Sequence, residues 1–248
     1  MSEMGSGAFE RIDDLMWRGR RILQDTREFC FSLDAVLLAH FPRWKKEQRV
    51  LELGTGTGVI PLLMADEVSH VEALELNSVT ARLAKRNVDM NGMEDWITVR
   101  EGDLRKIREF YPPESFDVVL SNPPYRPVGK GRRSARDGVA MARHELTATL
   151  SDVVSAARYA LRFRGLFAMV HLPERLGEIL VALHENQMEA KRLLLVHPKP
   201  EKAPNLLLLE AVVGAAPGGL KVLPPLVVHG ETGEYTEELL RIYGHGEV

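Results

Sequence analysis

The sequence predicts an α/β fold, a doubly wound parallel sheet of seven strands with helices on both faces. Two observations predict it. From about Val50 onward, short apolar, β-branched runs alternate with amphipathic stretches, which is the pattern of strands covered by helices. A glycine-rich segment, Gly54 to Gly58, stands between the first such run and the first such stretch, and a glycine turn in that position is typical of sheets that bind a ligand at their carboxyl edge.

Each predicted strand is a short apolar run, rich in Val, Ile and Leu, with polar or turn-forming residues on both sides. The seven expected strands are Arg49 to Leu53, Val71 to Leu76, Ile97 to Arg100, Phe116 to Ser121, Leu166 to His171, Arg192 to Val196 and Leu206 to Val213. Most intervals between them have room for a helix, which favours parallel strands joined by crossovers.

Amphipathic spacing and helix-end signals predict six helices. Ser32 is the expected cap of the first helix, Asn91-Gly92 closes the third, and Gly165 ends the fourth, because these residue types favour helix ends. The expected helices are Leu33 to Phe41, Gly58 to Glu67, Ser78 to Met90, Thr147 to Phe163, Glu174 to Asn186 and Thr236 to Tyr243.

Composition sets limits on the function. The chain has 248 residues, 45% of them hydrophobic, and 32 basic against 35 acidic side chains give a net charge of −3. Such a chain can bury the core of one domain, and its overall charge does not favour nucleic acid, whose binders are strongly basic. The single cysteine, Cys30, excludes an internal disulfide and a cysteine-based zinc site, and the histidines lack metal-ligand spacing. We therefore expect no metal, no secretion, no membrane insertion and a cytoplasmic location.

The segment Glu52 to Gly58 reads ELGTGTG and indicates a bound cofactor. Glycines at a strand-to-helix turn let the backbone approach a ligand closely, although a tight turn without a ligand uses them too. Glu75 ends the second predicted strand, 21 residues beyond Gly54, where an acid can accept hydrogen bonds from ribose hydroxyls. Together these two features indicate a cofactor that contains a nucleoside.

The spacing of the glycines favours S-adenosylmethionine over a dinucleotide. A dinucleotide fingerprint reads GxGxxG so that a pyrophosphate can lie on the helix N-terminus, whereas this turn reads GxGxG and follows Glu52. S-adenosylmethionine has no phosphate and carries an ammonium that an acid can attract, although Glu52 could also be a simple strand-end residue. Asp103 could accept a hydrogen bond from the adenine amino group while Leu104 packs on the ring, or Asp103 could cap the next short helix.

Catalysis is predicted at Asn122, Pro123, Pro124 and Tyr125, directly after the fourth strand. An amine conjugated to an aromatic ring is a poor nucleophile because its lone pair is delocalised. If the Asn122 side-chain oxygen and the Pro123 carbonyl accepted its two N–H groups, the lone pair would turn towards an electrophilic methyl group, and Tyr125 could stack on the ring. The alternative is a rigid turn with a core-facing tyrosine.

These motifs resemble the class I S-adenosylmethionine-dependent methyltransferases with a Rossmann-like fold, and in particular the bacterial tRNA (adenine-N6)-methyltransferases that act on adenosine 37 of valine tRNA. The resemblance covers ELGTGTG, Glu75, GDL and NPPY, and extends to the segments Phe31 to Ala39, Ala142 to Glu145, His171 to Leu176, Pro198-Lys199, Pro224 to Leu226 and Gly233 to Thr236. One departure is Arg126, where the family often has Phe after NPPY.

The resemblance implies that Phe31 to Asp34 close over the methionine end of the cofactor. The expected cofactor-binding residues are Phe31, Ser32, Asp34, Glu52, Gly54, Thr55, Gly56, Gly58, Glu75, Leu76, Asp103, Leu104 and Asn122. We expect a lead-in with a cofactor-covering helix (1–45), a methyltransferase core (46–216) and a tail packed on the core (217–248).

A basic segment follows the predicted catalytic loop. Residues 126–136 contain five basic side chains and no acidic one, namely Arg126, Lys130, Arg132, Arg133 and Arg136. They could contact RNA phosphates or form a solvated loop. In the usual strand order the loop after the sixth strand opens on the same edge, so His197, Lys199 and Lys202 either contact RNA too or belong to a plain connector.

The sequence thus predicts an S-adenosylmethionine-dependent methyltransferase that acts on an exocyclic base amine in RNA, most simply N6 of adenine in tRNA. Two other methyl acceptors remain open, a protein glutamine as in release-factor methyltransferases, which share NPPY, and guanine N2 in rRNA. A cofactor-binding RNA-associated protein without turnover and a nicotinamide oxidoreductase are alternatives from other classes.

Overall fold

The computed structural model describes residues 9–25, 32–125 and 148–244. Its seven long sheet strands are β3 (Arg49–Leu53), β4 (His70–Glu75), β5 (Ile97–Glu101), β6 (Phe116–Ser121), β7 (Leu161–His171), β8 (Met188–His197) and β9 (Leu206–Val213). They lie in the order β5-β4-β3-β6-β7-β9-β8 and are parallel except for β9, which is antiparallel to both neighbours. This sheet confirms the predicted fold class.

Two short strands extend the sheet beyond the seven that the sequence predicts. They are β10 (Lys221–Val222) and β11 (Leu226–Val227), which both pair in parallel with β8. Two residues are too few for a periodic signal, and prolines surround them. Because β8 is otherwise an edge strand, this pairing covers backbone groups that would remain exposed.

The six predicted helices are present, with shifted ends. They are α1 (Leu33–His40), α2 (Val59–Met64), α3 (Ser78–Met90), α4 (Leu150–Ala160), α5 (Leu176–Glu185) and α6 (Glu237–Ile242). Short 3₁₀ segments account for three differences: Ala65–Glu67 continues α2, Leu104–Glu109 follows β5, and Pro173–Arg175 precedes α5. A capping box of Thr149 and Asp152 begins α4, three residues after the predicted start.

The prediction for the end of α4 and the start of β7 was wrong. The helix ends at Ala160 and β7 begins at Leu161, so Gly165 lies in a bulge between the pairs Phe116–Leu161 and Val118–Leu166. A Cβ at Gly165 would lie 2.8 Å from the carbonyl oxygen of Arg162. The glycine therefore permits a close approach within a bulged strand and does not end a helix.

A β-hairpin near the start of the chain was not predicted. Its strands are β1 (Glu10–Asp14) and β2 (Arg21–Asp25). The side-chain amide of Asn87 on α3 accepts the Leu23 N–H at 2.6 Å and donates to the Leu23 carbonyl at 2.9 Å. The local sequence is charged and has no apolar pattern that would predict a strand. The backbone groups at this edge of the hairpin are instead satisfied by an amide that is distant in the sequence.

The last described segment packs on the domain. Leu226 and Leu239 are buried in the same apolar cluster as Leu38 of α1. A second apolar cluster, which includes Val153 of α4 and Ile179 of α5, covers the rest of the sheet. The three-part division of the chain at residues 45 and 216 stays a prediction.

Candidate active site

The predicted site residues meet at the carboxyl edge of the central strands. Leu53 at the end of β3 is in register with Ser121 at the end of β6, and the buried Ser121 hydroxyl donates to the Leu53 carbonyl at 2.9 Å. The glycine loop and the NPPY loop therefore begin side by side. In open parallel sheets this edge is where ligands bind.

Within the described part of the chain, the glycine loop leaves open space beside two of its glycines. Gly54, Gly56 and Gly58 have φ values of 78°, 57° and 86°, in the left-handed region that glycine adopts without strain. A Cβ on Gly54 or Gly56 would meet no atom of the described residues within 4 Å. The Gly54 N–H donates to the Leu74 carbonyl at 2.8 Å, which fixes the loop, so it forms a rigid backbone cradle.

Glu75 lies against this cradle. One carboxylate oxygen accepts the Gly56 N–H at 2.9 Å and the other accepts the Asn77 N–H at 2.8 Å. The next residue, Leu76, is 43% exposed although it is a large apolar side chain at a polar edge. An oriented carboxylate beside an uncovered apolar side chain suits a ribose joined to a purine ring.

Asp103 caps the 3₁₀ segment that follows β5. Its side chain accepts the Arg105 N–H at 2.9 Å, and the Arg105 guanidinium, 2.6 Å away, lowers the pKa of Asp103 below its usual value. The carboxylate thus stays ionised and retains lone pairs for a further donor. Leu104 is partly buried against the core.

Phe110 is a residue of this edge that sequence reasoning missed. A Cβ on Gly102 would lie 2.4 Å from its ring, so the ring lies directly on the glycine of the GDL motif. Phe110 follows an irregular 3₁₀ segment, and nothing in the local pattern indicates where its ring points.

Glu52 is an acid in an unusual state. It is only 1% exposed and accepts a hydrogen bond from the Thr55 hydroxyl. Burial, opposed by the Thr55 hydrogen bond and helped by the nearby Glu75, raises the pKa of Glu52 to about 8. Without a positive ligand the side chain is therefore mostly protonated at pH 7.

Asn122 and its neighbours leave the sheet at this edge. The half-buried Asn122 side chain has no hydrogen-bond partner among residues 9–25, 32–125 and 148–244. Pro123 is buried and Pro124 is exposed. The Asn122 amide oxygen is thus available to accept a hydrogen bond from a ligand.

Tyr125 is held by three distant elements. Its hydroxyl donates to Asp34 of α1, and its carbonyl oxygen accepts from the Arg175 guanidinium at 3.2 Å. Its ring centroid lies 5.4 Å from that of His171 at the end of β7. Burial and the neighbouring Asp34 raise the pKa of Tyr125 above its usual value, while burial and Arg175 lower the pKa of His171 to about 4. The group therefore contains a neutral phenol and a neutral imidazole at pH 7.

The predicted RNA-contacting residues fall into two groups. Lys199 and Lys202 lie in the loop from β8 to β9 at the carboxyl edge, where the Lys202 carbonyl is 2.7 Å from Nδ1 of His197. The second group lies outside the described residues and consists of Arg126, Lys130, Arg132, Arg133 and Arg136. Phe31, which is predicted to bind the cofactor, also lies outside them.

The described ranges contain neither a candidate metal site nor a candidate membrane-spanning helix. Residues 9–25, 32–125 and 148–244 contain no group of three or more His, Cys, Asp or Glu side chains that could hold a metal ion. Within the same part of the chain, no helix is both long enough and apolar enough to cross a membrane.

Comparison with known proteins identifies the class of enzyme. Residues 34–171 match the methyltransferase small domain family, and this span covers every described motif from α1 to the end of β7. The chain belongs to that family. The resemblance predicted from the sequence, the methyltransferase activity and the use of S-adenosylmethionine are thereby confirmed.

Two relatives are similar to this chain over most of its length. The chain is 33% identical over 190 residues, 75% of its length and 77% of the relative's, to a "tRNA1(Val) (adenine(37)-N6)-methyltransferase" of Tolumonas auensis. It is 29% identical over 201 residues, 79% of its length and 78% of the relative's, to a protein of the same name from Porphyromonas gingivalis.

Solved structures share the fold. A predicted O-methyltransferase from Agrobacterium tumefaciens superposes with a TM-score of 0.70 at 21% identity, over 87% of this chain and 98% of the other. Trm5 of Methanocaldococcus jannaschii, in complex with adenosine, has a TM-score of 0.61 at 14% identity, over 86% of this chain and 57% of the other. At these identities the likeness concerns the fold alone.

Proposed function

We propose that this protein transfers a methyl group from S-adenosylmethionine to N6 of an adenine in tRNA. The observation that carries the proposal is the NPPY loop, in which the Asn122 amide has no hydrogen-bond partner among the described residues and stands beside the glycine cradle. The names of the relatives from Tolumonas auensis and Porphyromonas gingivalis support adenine N6 in tRNA as the acceptor. A tRNA substrate also supports the expected cytoplasmic location.

The described residues fit the cofactor. The open side of Gly54 and Gly56 leaves room that a Cβ would fill, and Glu75 is oriented for the ribose hydroxyls. Leu76 and Asp103 would hold the adenine, and Glu52 would face the positive methionine end, with Thr55 and Gly58 shaping the loop. The bound cofactor supplies an electrophilic methyl group.

The protein's own residues would then orient the adenine amine. The side-chain oxygen of Asn122 and the carbonyl oxygen of Pro123 each accept one N–H of the amino group, which localises the nitrogen lone pair and aims it at the methyl group. The Tyr125 ring stacks on the base after the base has left its own stack in the RNA, a step that costs a few kcal/mol.

The charge distribution favours RNA over a protein glutamine as the acceptor. Residues 126–136 carry five basic side chains and no acid, and they directly follow Tyr125. Lys199 and Lys202 lie at the same sheet edge. A glutamine-bearing protein loop needs no such cluster, whereas a phosphate backbone passing the catalytic loop does.

The direct test is transfer of a labelled methyl group to total tRNA, rRNA and release factor in parallel, with the modified nucleoside identified. We expect N6-methyladenine in tRNA. Asn122→Ala should abolish transfer while cofactor still binds in calorimetry. Asn186→Ala removes an amide at the opposite edge of the sheet and should leave transfer unchanged. Label that appears only in release factor would refute the proposal, as would full activity of Asn122→Ala.

A further inference from the structure

The first turn of α1 contains a buried acid with two sets of partners. Asp34 is 5% exposed and is the one charged residue of Leu33 to Ala39. One oxygen accepts from the Ser32 hydroxyl and from the Ala35 N–H at 2.9 Å. The other accepts from the Tyr125 hydroxyl. Contacts with neighbouring residues therefore use one oxygen, and the second reaches a loop 91 residues away.

Among the described residues, only Asp34 forms a hydrogen bond with the Tyr125 hydroxyl. The carbonyl contact of Tyr125 with Arg175 restrains the backbone, and its contact with the His171 ring restrains one side of the aromatic ring. Neither contact fixes rotation about the Cα–Cβ bond. The hydrogen bond to Asp34 does so, because it anchors the far end of the side chain.

We propose that Asp34 is a positioning residue, which holds the Tyr125 ring in the orientation that receives the target base. The proposal rests on the proposed function, since it assigns Tyr125 the stacking role. It differs from the cofactor contact that the resemblance implies for Asp34, because the carboxyl group faces the base-binding loop. The pair also joins the helix expected to cover the cofactor to the loop expected to hold the base.

The bond is suited to this task. An unpartnered buried acid is costly, so Asp34 favours the one orientation of Tyr125 that supplies a donor. The raised pKa of Tyr125 keeps the phenol protonated and able to donate over the physiological pH range. In methyl transfer a small displacement of the reacting group costs about 100-fold in rate, so an unanchored ring would slow the step after binding.

A double-mutant cycle tests the proposal. The variants are Tyr125→Phe, which keeps the ring and removes the hydroxyl, Asp34→Asn, which leaves a neutral acceptor, and the combination of both. We expect each single variant to slow single-turnover transfer by about tenfold or more, the size associated with a hydrogen bond to a charged group. The double variant should be no slower than Tyr125→Phe, because both changes remove one interaction.

Two further measurements separate positioning from cofactor binding and from helix stability. The dissociation constant for S-adenosylmethionine should stay within about twofold in every variant. Asp152→Asn is the matched control, because Asp152 also caps the first turn of a helix, α4, without contacting Tyr125. It should leave the transfer rate unchanged. The proposal would be overturned if the rate loss of the double variant equalled the product of the two single losses. A tenfold weaker cofactor affinity in Asp34→Asn would overturn it as well.

The same variants distinguish this proposal from the proposed function. The cycle is run on whichever acceptor the wild-type protein methylates, so a substrate other than tRNA leaves it intact. The bond itself is read without turnover from the ¹³Cζ resonance of Tyr125 in tyrosine-labelled protein, assigned with Tyr125→Phe. We expect Asp34→Asn to shift this resonance and Asp152→Asn to leave it in place. An unshifted resonance in Asp34→Asn would contradict the proposal even if tRNA were the confirmed substrate.

Discussion

Replacing Glu52 by glutamine should stabilise the protein without cofactor and weaken cofactor binding at the same time. The folded protein raises the pKa of this carboxyl group from 4.5 to about 8. Between these two values the unfolded chain is ionised while the folded chain retains the proton, so stability falls as the pH rises. At pH 7 the 2.5 pH units above 4.5 correspond to a loss of roughly 3 kcal/mol. Glutamine fits the same space, can accept the Thr55 hydrogen bond and carries no such loss.

The assay is denaturant unfolding of the wild type and Glu52→Gln at pH 5, 6, 7 and 8 without cofactor. The difference in unfolding free energy should grow steadily with pH, in favour of the variant. Groups that do not interact with Glu52 titrate equally in both proteins, so the difference reports on Glu52 and its interaction with Glu75. Parallel curves would refute the reasoning. In calorimetry the variant should bind S-adenosylmethionine more weakly, because the neutral amide cannot attract the ammonium.

Three further predictions concern other sites. Glu75→Ala should weaken S-adenosylmethionine binding at least tenfold in calorimetry, since two backbone N–H groups also lose their acceptor. The control Glu101→Ala, at the end of β5, should bind as the wild type does, and an unchanged affinity of Glu75→Ala would exclude the ribose role. Burial lowers the pKa of His40 to about 4, so the unfolding free energy should fall as the pH drops from 6.5 towards 4, by up to roughly 3 kcal/mol for this group. In thermal unfolding at acid pH, His40→Gln should lose less stability than the wild type, and an identical decline would contradict the prediction. Asn87→Ala should destabilise the protein by about 2 to 4 kcal/mol in denaturant unfolding, because the fully buried amide joins the hairpin to the glycine loop; a loss under about 0.5 kcal/mol would contradict this.

The central strands were predictable because their signals are local. Each is an apolar run whose ends are marked by residues that change the backbone, such as the three glycines after Leu53 and the prolines after Asn122. Since parallel strands end at one edge, motifs far apart in sequence could be placed together before their contacts were known. Strand ends were accurate to within a residue, except at the starts of β7 and β8, which lie five and four residues before the predicted ones.

The errors occurred where a distant partner decides the local structure. Four of the five residues of β1 are charged, and side-chain amides from α3 and its C-terminal end satisfy backbone N–H groups of β2. Gly165 is a plausible helix terminator by sequence, but pairing with β6 makes it part of a bulged strand. The short strands β10 and β11 exist only because β8 offers an open edge.

The sequence by itself determined the class of the protein, since the glycine turn, the acid of β4 and the NPPY loop each carry their chemistry in adjacent residues. The tertiary structure alone decided how these parts are oriented. It made Glu52 a buried, protonated acid and turned Asp34 towards Tyr125, 91 residues away. Burial and long-range hydrogen bonding depend on which strands and helices pack together, and neither is encoded in the spacing of neighbouring residues.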